Sequence, residues 1–137
     1  MRVLTQIALV AIGGAIGSLL RWGIGLAVGR WFAPWLGTAF PWGTFIINIS
    51  GCLFLGWFMT VMDERLLGDG LRWIHPDHLR VMIAVGFTGA YTTFSTFGYE
   101  AIDRIQKGGP VGPTYIIASV IVGLLAVRLG IALAHWR

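Results

Sequence analysis

Gly86-Phe87-Thr88-Gly89-Ala90-Tyr91-Thr92-Thr93-Phe94-Ser95-Thr96-Phe97 lies inside an otherwise apolar segment, approximately residues 79–101. Glycines and β-branched hydroxyl residues at this density weaken a helix. Unwound backbone at membrane depth is tolerated only where protein buries it or where it borders a polar cavity. The stretch therefore reads as a membrane-spanning helix broken at its centre, at an ion or substrate site.

The surrounding sequence supports a membrane setting. The chain has 137 residues, of which 56% are hydrophobic and 12% charged, and its mean hydropathy is +0.77. A soluble domain needs more charge to cover its surface. Three further segments, approximately 3–28, 42–62 and 114–136, reach the roughly 20 apolar residues that cross a hydrocarbon core in helix. The expectation is one all-α integral membrane domain of four transmembrane helices. Arg2 before the first run resembles a signal peptide, but the run is too long and holds Arg21 and repeated glycines. Pro34, Pro41 and the run Gly108–Pro113 punctuate the connections, and Asp63–His78 collects most of the acidic residues in an aqueous loop. The tryptophans, at 22, 31, 35, 42, 57, 73 and 136, fall mainly near the proposed helix ends, where amphipathic rings suit headgroup depth.

Enzymatic chemistry has little to build on. Cys52, the single cysteine, reads as a small packing residue. His75, His78 and His135 fall in a loop or at a terminus, where they are expected to be solvated, and no triad or metal-ligand spacing assembles. There is no nucleotide loop and no nucleic-acid motif. The net charge of +4 suits anion attraction and anionic lipid headgroups alike.

Four spans put Arg2, Arg65, Arg72, Arg80 and Arg137 nearer one face and Arg30, Arg104 and Lys107 nearer the other. This is a weak orientational bias. Four short helices leave little room for a pathway within one subunit, and two-fold dimers are the commonest assembly. An antiparallel, dual-topology homodimer accounts for both observations. Gly13, Gly17, Arg21, Gly25 and Gly29 recur every four residues, a row along one side of the first helix that is expected to pack against protein.

The polar residues within the spans are the candidate site. Arg21 either snorkels to a headgroup or attracts anions into a vestibule. Asn48 shares a face with Gly51 and Leu55, while Ser50 points elsewhere; its amide either bonds across helices or donates to a permeating anion. Tyr115, Ser119 and Gly123 step by four, offering a phenol, a hydroxyl and a gap. Neutral donors of this kind suit a dehydrated anion that must leave again, although Ser119 could equally bond back to its own helix. Phe94 and Phe97, three apart, either pack in the core or present their positive edges to an anion. Thr92, Thr93, Ser95 and Thr96 surround that pair with hydroxyls, an unusual wall for an apolar surface.

Gly86–Phe97 resembles the signature of the Fluc (CrcB) fluoride channels. So do Gly-Ala-x-Gly-x-x-x-Arg at Gly14–Arg21 and Gly-Thr-x-x-x-Asn-x-x-Gly at Gly43–Gly51. The resemblance covers essentially the whole chain. It implies an antiparallel dual-topology homodimer with two fluoride pores, conferring fluoride resistance by passive export across a prokaryotic inner (cytoplasmic) membrane. It also implies a structural sodium ion (Na+) at the dimer centre, held by the backbone carbonyls of Gly89 and Thr92. Phe94 and Phe97 become pore-lining rings from opposite subunits, with Asn48 near them. Ser95, Thr96 and Glu100 fall on a polar track, Tyr115 and Ser119 on the fourth-helix contribution, and Arg21 at the vestibule. Two departures concern detail: Asp63–His78 is longer and more charged than the family's middle loop, and Gly123 stands where some members carry serine.

Two readings compete. A small proton-coupled multidrug exporter can also be a four-helix, dual-topology dimer, but it needs a titratable acid in the membrane. The first two spans carry only Arg21, and Glu100 is placed near a helix end. A scaffold packed through the glycine row leaves the hydroxyls around the broken helix unexplained.

Overall fold

A computed structural model describes residues 2–37, 39–66 and 76–136, and no strand occurs among the described residues. Helix α1 (Arg2–Ala27) continues through a π-helical turn, Val28–Phe32, into α2 (Ala33–Leu36), which stops at Gly37 in the left-handed region. Helix α3 (Trp42–Val61) ends in a second π-helical turn, Met62–Leu66. After α4 (Pro76–Leu79) the chain winds as a π-helix over Arg80–Thr88 and closes with the single turn α5 (Gly89–Tyr91). Helix α6 (Phe94–Gln106) follows, and α7 (Val111–His135) completes the bundle. Gly108 and Gly109 join them with φ of +79° and +82°, which only glycine adopts without strain. Pro113 is tolerated because it falls in the first turn of α7, where N–H groups lack helical partners anyway.

Among the described residues three helices are long and apolar enough to cross a membrane: Val3–Trp31, Trp42–Glu64 and Val111–His135. The chain is therefore a multi-pass membrane protein. The segment expected as a third span runs from Pro76 to Gln106, well beyond 79–101, and is divided at Thr92 and Thr93.

The bundle is two tightly apposed helix pairs. In the first, α1 runs along Arg80–Tyr91. A Cβ on Gly13 would strike the Met82 carbonyl, and one on Gly17 would strike the Phe87 carbonyl and lie 3.0 Å from Tyr91 N. Gly86 answers from the other side, its Cβ position 2.9 Å from the Val10 carbonyl oxygen. In the second pair, α3 lies along α7, with Gly56 against Val127 and Gly130 against Leu53 and Trp57. Without a hydrophobic driving force between helices in lipid, such backbone approach is what dispersion and close packing require.

The glycine row packs against protein over half its length only. Among the described residues Gly25 and Gly29 have nothing within 4 Å of a Cβ position, because the row passes from the helix contact to two open cavities, one lined by Arg21 and Gly25 and the other by Gly25 and Gly29.

Ion pairs close the bundle at one end: Arg80 pairs with Asp63, and His135 Nε2 lies 2.6 Å from Glu64 Oε1. His135 is thus tied to the end of α3 rather than simply solvated. His75, Trp73 and most of the long loop, residues 67–75, lie outside the described residues.

Candidate functional site

The site is built around the interruption between α5 and α6. Thr92 (φ −78°, ψ 161°) and Thr93 (φ −148°, ψ 116°) are extended. Their backbone groups have specific partners. Thr92 N–H and Oγ1 both donate to the Thr88 carbonyl, at 3.0 Å each. Thr93 N–H donates to Asn48 Oδ1 (2.9 Å), and Asn48 Nδ2 donates back to the Thr93 carbonyl (3.1 Å). Thr93 Oγ1 accepts from Thr96 N–H (3.2 Å), capping α6, and donates to Thr96 Oγ1 (3.0 Å).

These bonds bear directly on Gly89 and Thr92. In a continuous α-helix the Gly89 carbonyl would accept from Thr93 N–H, and the Thr92 carbonyl from Thr96 N–H. Both donors are diverted to side-chain oxygens. The two carbonyls are left without their helical donors, three residues apart at one break.

Two cavities meet at Thr93. One, of about 230 Å³, is lined by Asn48, Gly51, Cys52, Leu55, Thr88, Thr92, Thr93, Phe94 and Val127, with no charged side chain. The other, of about 400 Å³, is lined by Arg21, Thr44, Thr93, Thr96 and Glu100 among others. Glu100 is anchored from two helices: Thr44 Oγ1 donates to Oε1 and Tyr115 OH to Oε2, each at 3.0 Å. Arg21, half-buried, faces the same cavity. Its aliphatic stem and the flanking glycines hold a positive charge beside hydroxyls rather than in lipid.

Phe94 is 84% exposed and its ring centroid lies 5.8 Å from that of Phe97. Phe97 tilts onto Tyr115 (5.2 Å), which is fully buried. Ser95 and Thr96 are exposed on α6, and Ser95 Oγ comes within 3.4 Å of Thr93 Oγ1. Ser119 Oγ is buried without a hydrogen-bond partner among the described residues, so it does not bond back to its own helix. A hydroxyl in that condition is a donor awaiting an acceptor.

Asn48, Phe94 and Thr92 thus share one cavity, and Arg21, Thr96 and Glu100 the other. Tyr115 joins the second through Glu100, Phe97 packs between Phe94 and Tyr115, and Gly89 is exposed beside the break. One of the two alternatives for Asn48 is seen, and one expectation changes. Asn48 bonds across helices, with one amide hydrogen already given to Thr93. Glu100 is interior to α6, which continues to Gln106, rather than near a helix end. The sequence reading missed Thr44, although it stands one helical turn before Asn48 on the same face. It also set Ser50 aside, whose Oγ is 2.7 Å from Tyr91 OH. Among the described residues no group of three or more His, Cys, Asp or Glu could hold a metal. A cation here would depend on carbonyl and hydroxyl oxygens.

Comparison with known proteins places the chain. The family described as "CrcB-like protein, Camphor Resistance (CrcB)" matches residues 8–131. The chain belongs to this family. It is 41% identical over 136 residues to the "Fluoride-specific ion channel FluC" of Chloroflexus aurantiacus, covering 97% of this chain and 98% of the relative. It is 44% identical over 139 residues to a protein of that name from a Synechococcus strain, covering 100% of this chain and 96% of the relative. A third, from Rhizobium leguminosarum bv. trifolii, is 41% identical over 128 residues, covering 93% and 94%. These CrcB relatives are named as ion channels, a non-enzymatic class, and the present chain is likewise no enzyme.

Proposed function

We propose that this CrcB-family chain is a passive, fluoride-selective channel that lets fluoride leave the cytoplasm. The observation that carries the reading is the wall at the break: a phenylalanine ring, an amide and threonine side chains, with no charged side chain in the cavity that Phe94 and Asn48 line. Fluoride is small and strongly hydrated. A pore for it must replace water with several donors yet hold no fixed charge close enough to trap it. Ser95, Thr96, the second amide hydrogen of Asn48, and Ser119, whose hydroxyl has no partner among the described residues, are donors of that kind, while Arg21 places a positive charge at the neighbouring cavity, which Glu100 also lines.

The functional unit is an antiparallel, dual-topology homodimer in a prokaryotic inner membrane. α3 and α7 form one span each, α1 another, and Pro76–Gln106 the fourth, interrupted at Thr92–Thr93. Phe94 is 84% exposed and so open to a second copy, which would bring Phe94 and Phe97 from opposite subunits into each of two pathways. A sodium ion fits the donor set, since the Gly89 and Thr92 carbonyls have lost their helical N–H partners and sodium takes oxygen ligands. When bound, it would supply positive charge for carbonyl dipoles that meet across the interface.

A proton-coupled exporter gains nothing from this geometry. Its one candidate acid, Glu100, spends both oxygens on Thr44 and Tyr115. The test is fluoride efflux from liposomes holding the purified dimer, read with a fluoride electrode beside chloride and a proton-gradient control. Release of fluoride alone, with no proton gradient, is expected. Absence of release from folded dimer would overturn the channel reading.

A further inference from the structure

We propose that Asn48 is a positioning residue that keeps the chain open at Thr92–Thr93, and that its amide, by taking the Thr93 N–H, keeps the Gly89 carbonyl available to a cation. The inference rests on the sodium site proposed above and assigns its upkeep to a side chain on another helix.

Nothing in Thr92 or Thr93 alone requires the break. Both adopt helical backbone elsewhere at modest cost, and a continuous helix would satisfy the Gly89 carbonyl and the Thr93 N–H with each other. Thr93 is 8% exposed, so its N–H and C=O need partners in an apolar setting whichever conformation it takes. A side-chain amide carries the same donor and acceptor as a peptide unit. Asn48 uses both on the one residue, as a neighbouring strand would, at 2.9 Å and 3.1 Å. It is itself held in place, because it follows Thr44 by one turn of α3 and Gly51 brings that helix against the Thr92 methyl group. The extended pair is thus templated by α3, and the carbonyl left over is that of Gly89.

This role differs measurably from direct donation to the permeating anion. Asn48→Asp keeps an acceptor for Thr93 N–H and loses the donor. Asn48→Ala and Asn48→Ser lose both bonds, serine being too short to reach. The midpoint of thermal unfolding of the purified dimer in detergent is followed as sodium chloride replaces choline chloride. Asn48→Ala is expected to need about tenfold more sodium for half of the stabilisation, the loss of one backbone hydrogen bond's worth. Asn48→Asp is expected to need no more sodium than wild type, because it keeps the acceptor for Thr93 N–H and its charge attracts cations, while losing fluoride flux to that charge. Equal sodium midpoints for all the variants, or equal shifts in Ala and Asp, would overturn the proposal. Should Asn48→Ala not fold, Asn48→Ser takes its place.

If wild type shows no response to sodium, the sodium reading fails and the proposal is decided by the structure of the Ala or Ser variant without sodium. Return of Thr93 N–H to the Gly89 carbonyl supports it. Thr92 and Thr93 still extended overturns it.

Discussion

Gly17 and Gly25 are two turns apart on one row of α1, yet alanine should act oppositely at each. At Gly25 a Cβ meets nothing within 4 Å, so alanine gains the helix preference that glycine lacks, about 1 kcal/mol. At Gly17 the Cβ overlaps the Phe87 carbonyl and lies 3.0 Å from Tyr91 N and 3.1 Å from Phe87 C. All three are backbone atoms and cannot swing aside. Restoring the ~3.5 Å at which non-bonded atoms attract requires α1 and Phe87–Tyr91 to part by more than about an ångström, the Phe87 carbonyl setting the requirement. Overpacking of this kind costs about 1–3 kcal/mol, so Gly17→Ala should be destabilised by up to ~2 kcal/mol after the helix gain is subtracted, and should lie about 1–3 kcal/mol below Gly25→Ala. The displaced segment leads straight into the break, so fluoride flux should fall as well. Denaturant unfolding of both variants in detergent, with efflux from liposomes alongside, reads the difference. A Gly17→Ala protein as stable as Gly25→Ala would refute the claim that α1 is set by backbone contact.

Phe94→Ile should leave the dimer assembled on size-exclusion chromatography and cut fluoride efflux, because the aliphatic side chain has no positive edge; undiminished flux would remove the ring from the pathway. Ser119→Ala removes a hydroxyl that has no partner among the described residues, so unfolding should change by less than about 0.5 kcal/mol while efflux falls. Equal flux would make that hydroxyl a bystander. Tyr115→Phe strips one of the two hydroxyls from Glu100, and should cost about 1.5–3 kcal/mol in thermal or denaturant unfolding if the carboxyl is charged. Thr44→Val should then act on the same group, with a double variant that departs from additivity.

Local composition marked where the helix is weak, since glycine and threonine crowd one stretch of an apolar segment, but not the α3 side chain that takes the Thr93 backbone groups. The glycine row was legible as spacing along a single helix. What escaped was every bond whose meaning depends on which helix lies opposite. Gly56 and Gly130 belong to no periodic row, and only the apposition of α3 with α7 gives them a role. Ser50 looked idle until Tyr91 arrived from another helix. Glu100 was underrated because α6 carries on past the point where hydropathy falls; its polar residues after Ala101 still wind as helix.

Each helix pair is locked internally by glycines, whereas α3 is joined to the interrupted segment Pro76–Gln106 by directional bonds as well as by the Phe54–Phe87 ring contact: Asn48 to Thr93, Ser50 to Tyr91, Thr44 to Glu100, and Asp63 to Arg80. Apolar faces in lipid slide past one another with little to stop them, but a slip of a single residue along this joint would break all of these directional bonds at once. The joint therefore works as an alignment key. It fixes the depth of the interruption by reference to α3, so that transplanting the glycine–threonine run one turn along the chain would not carry the opening with it.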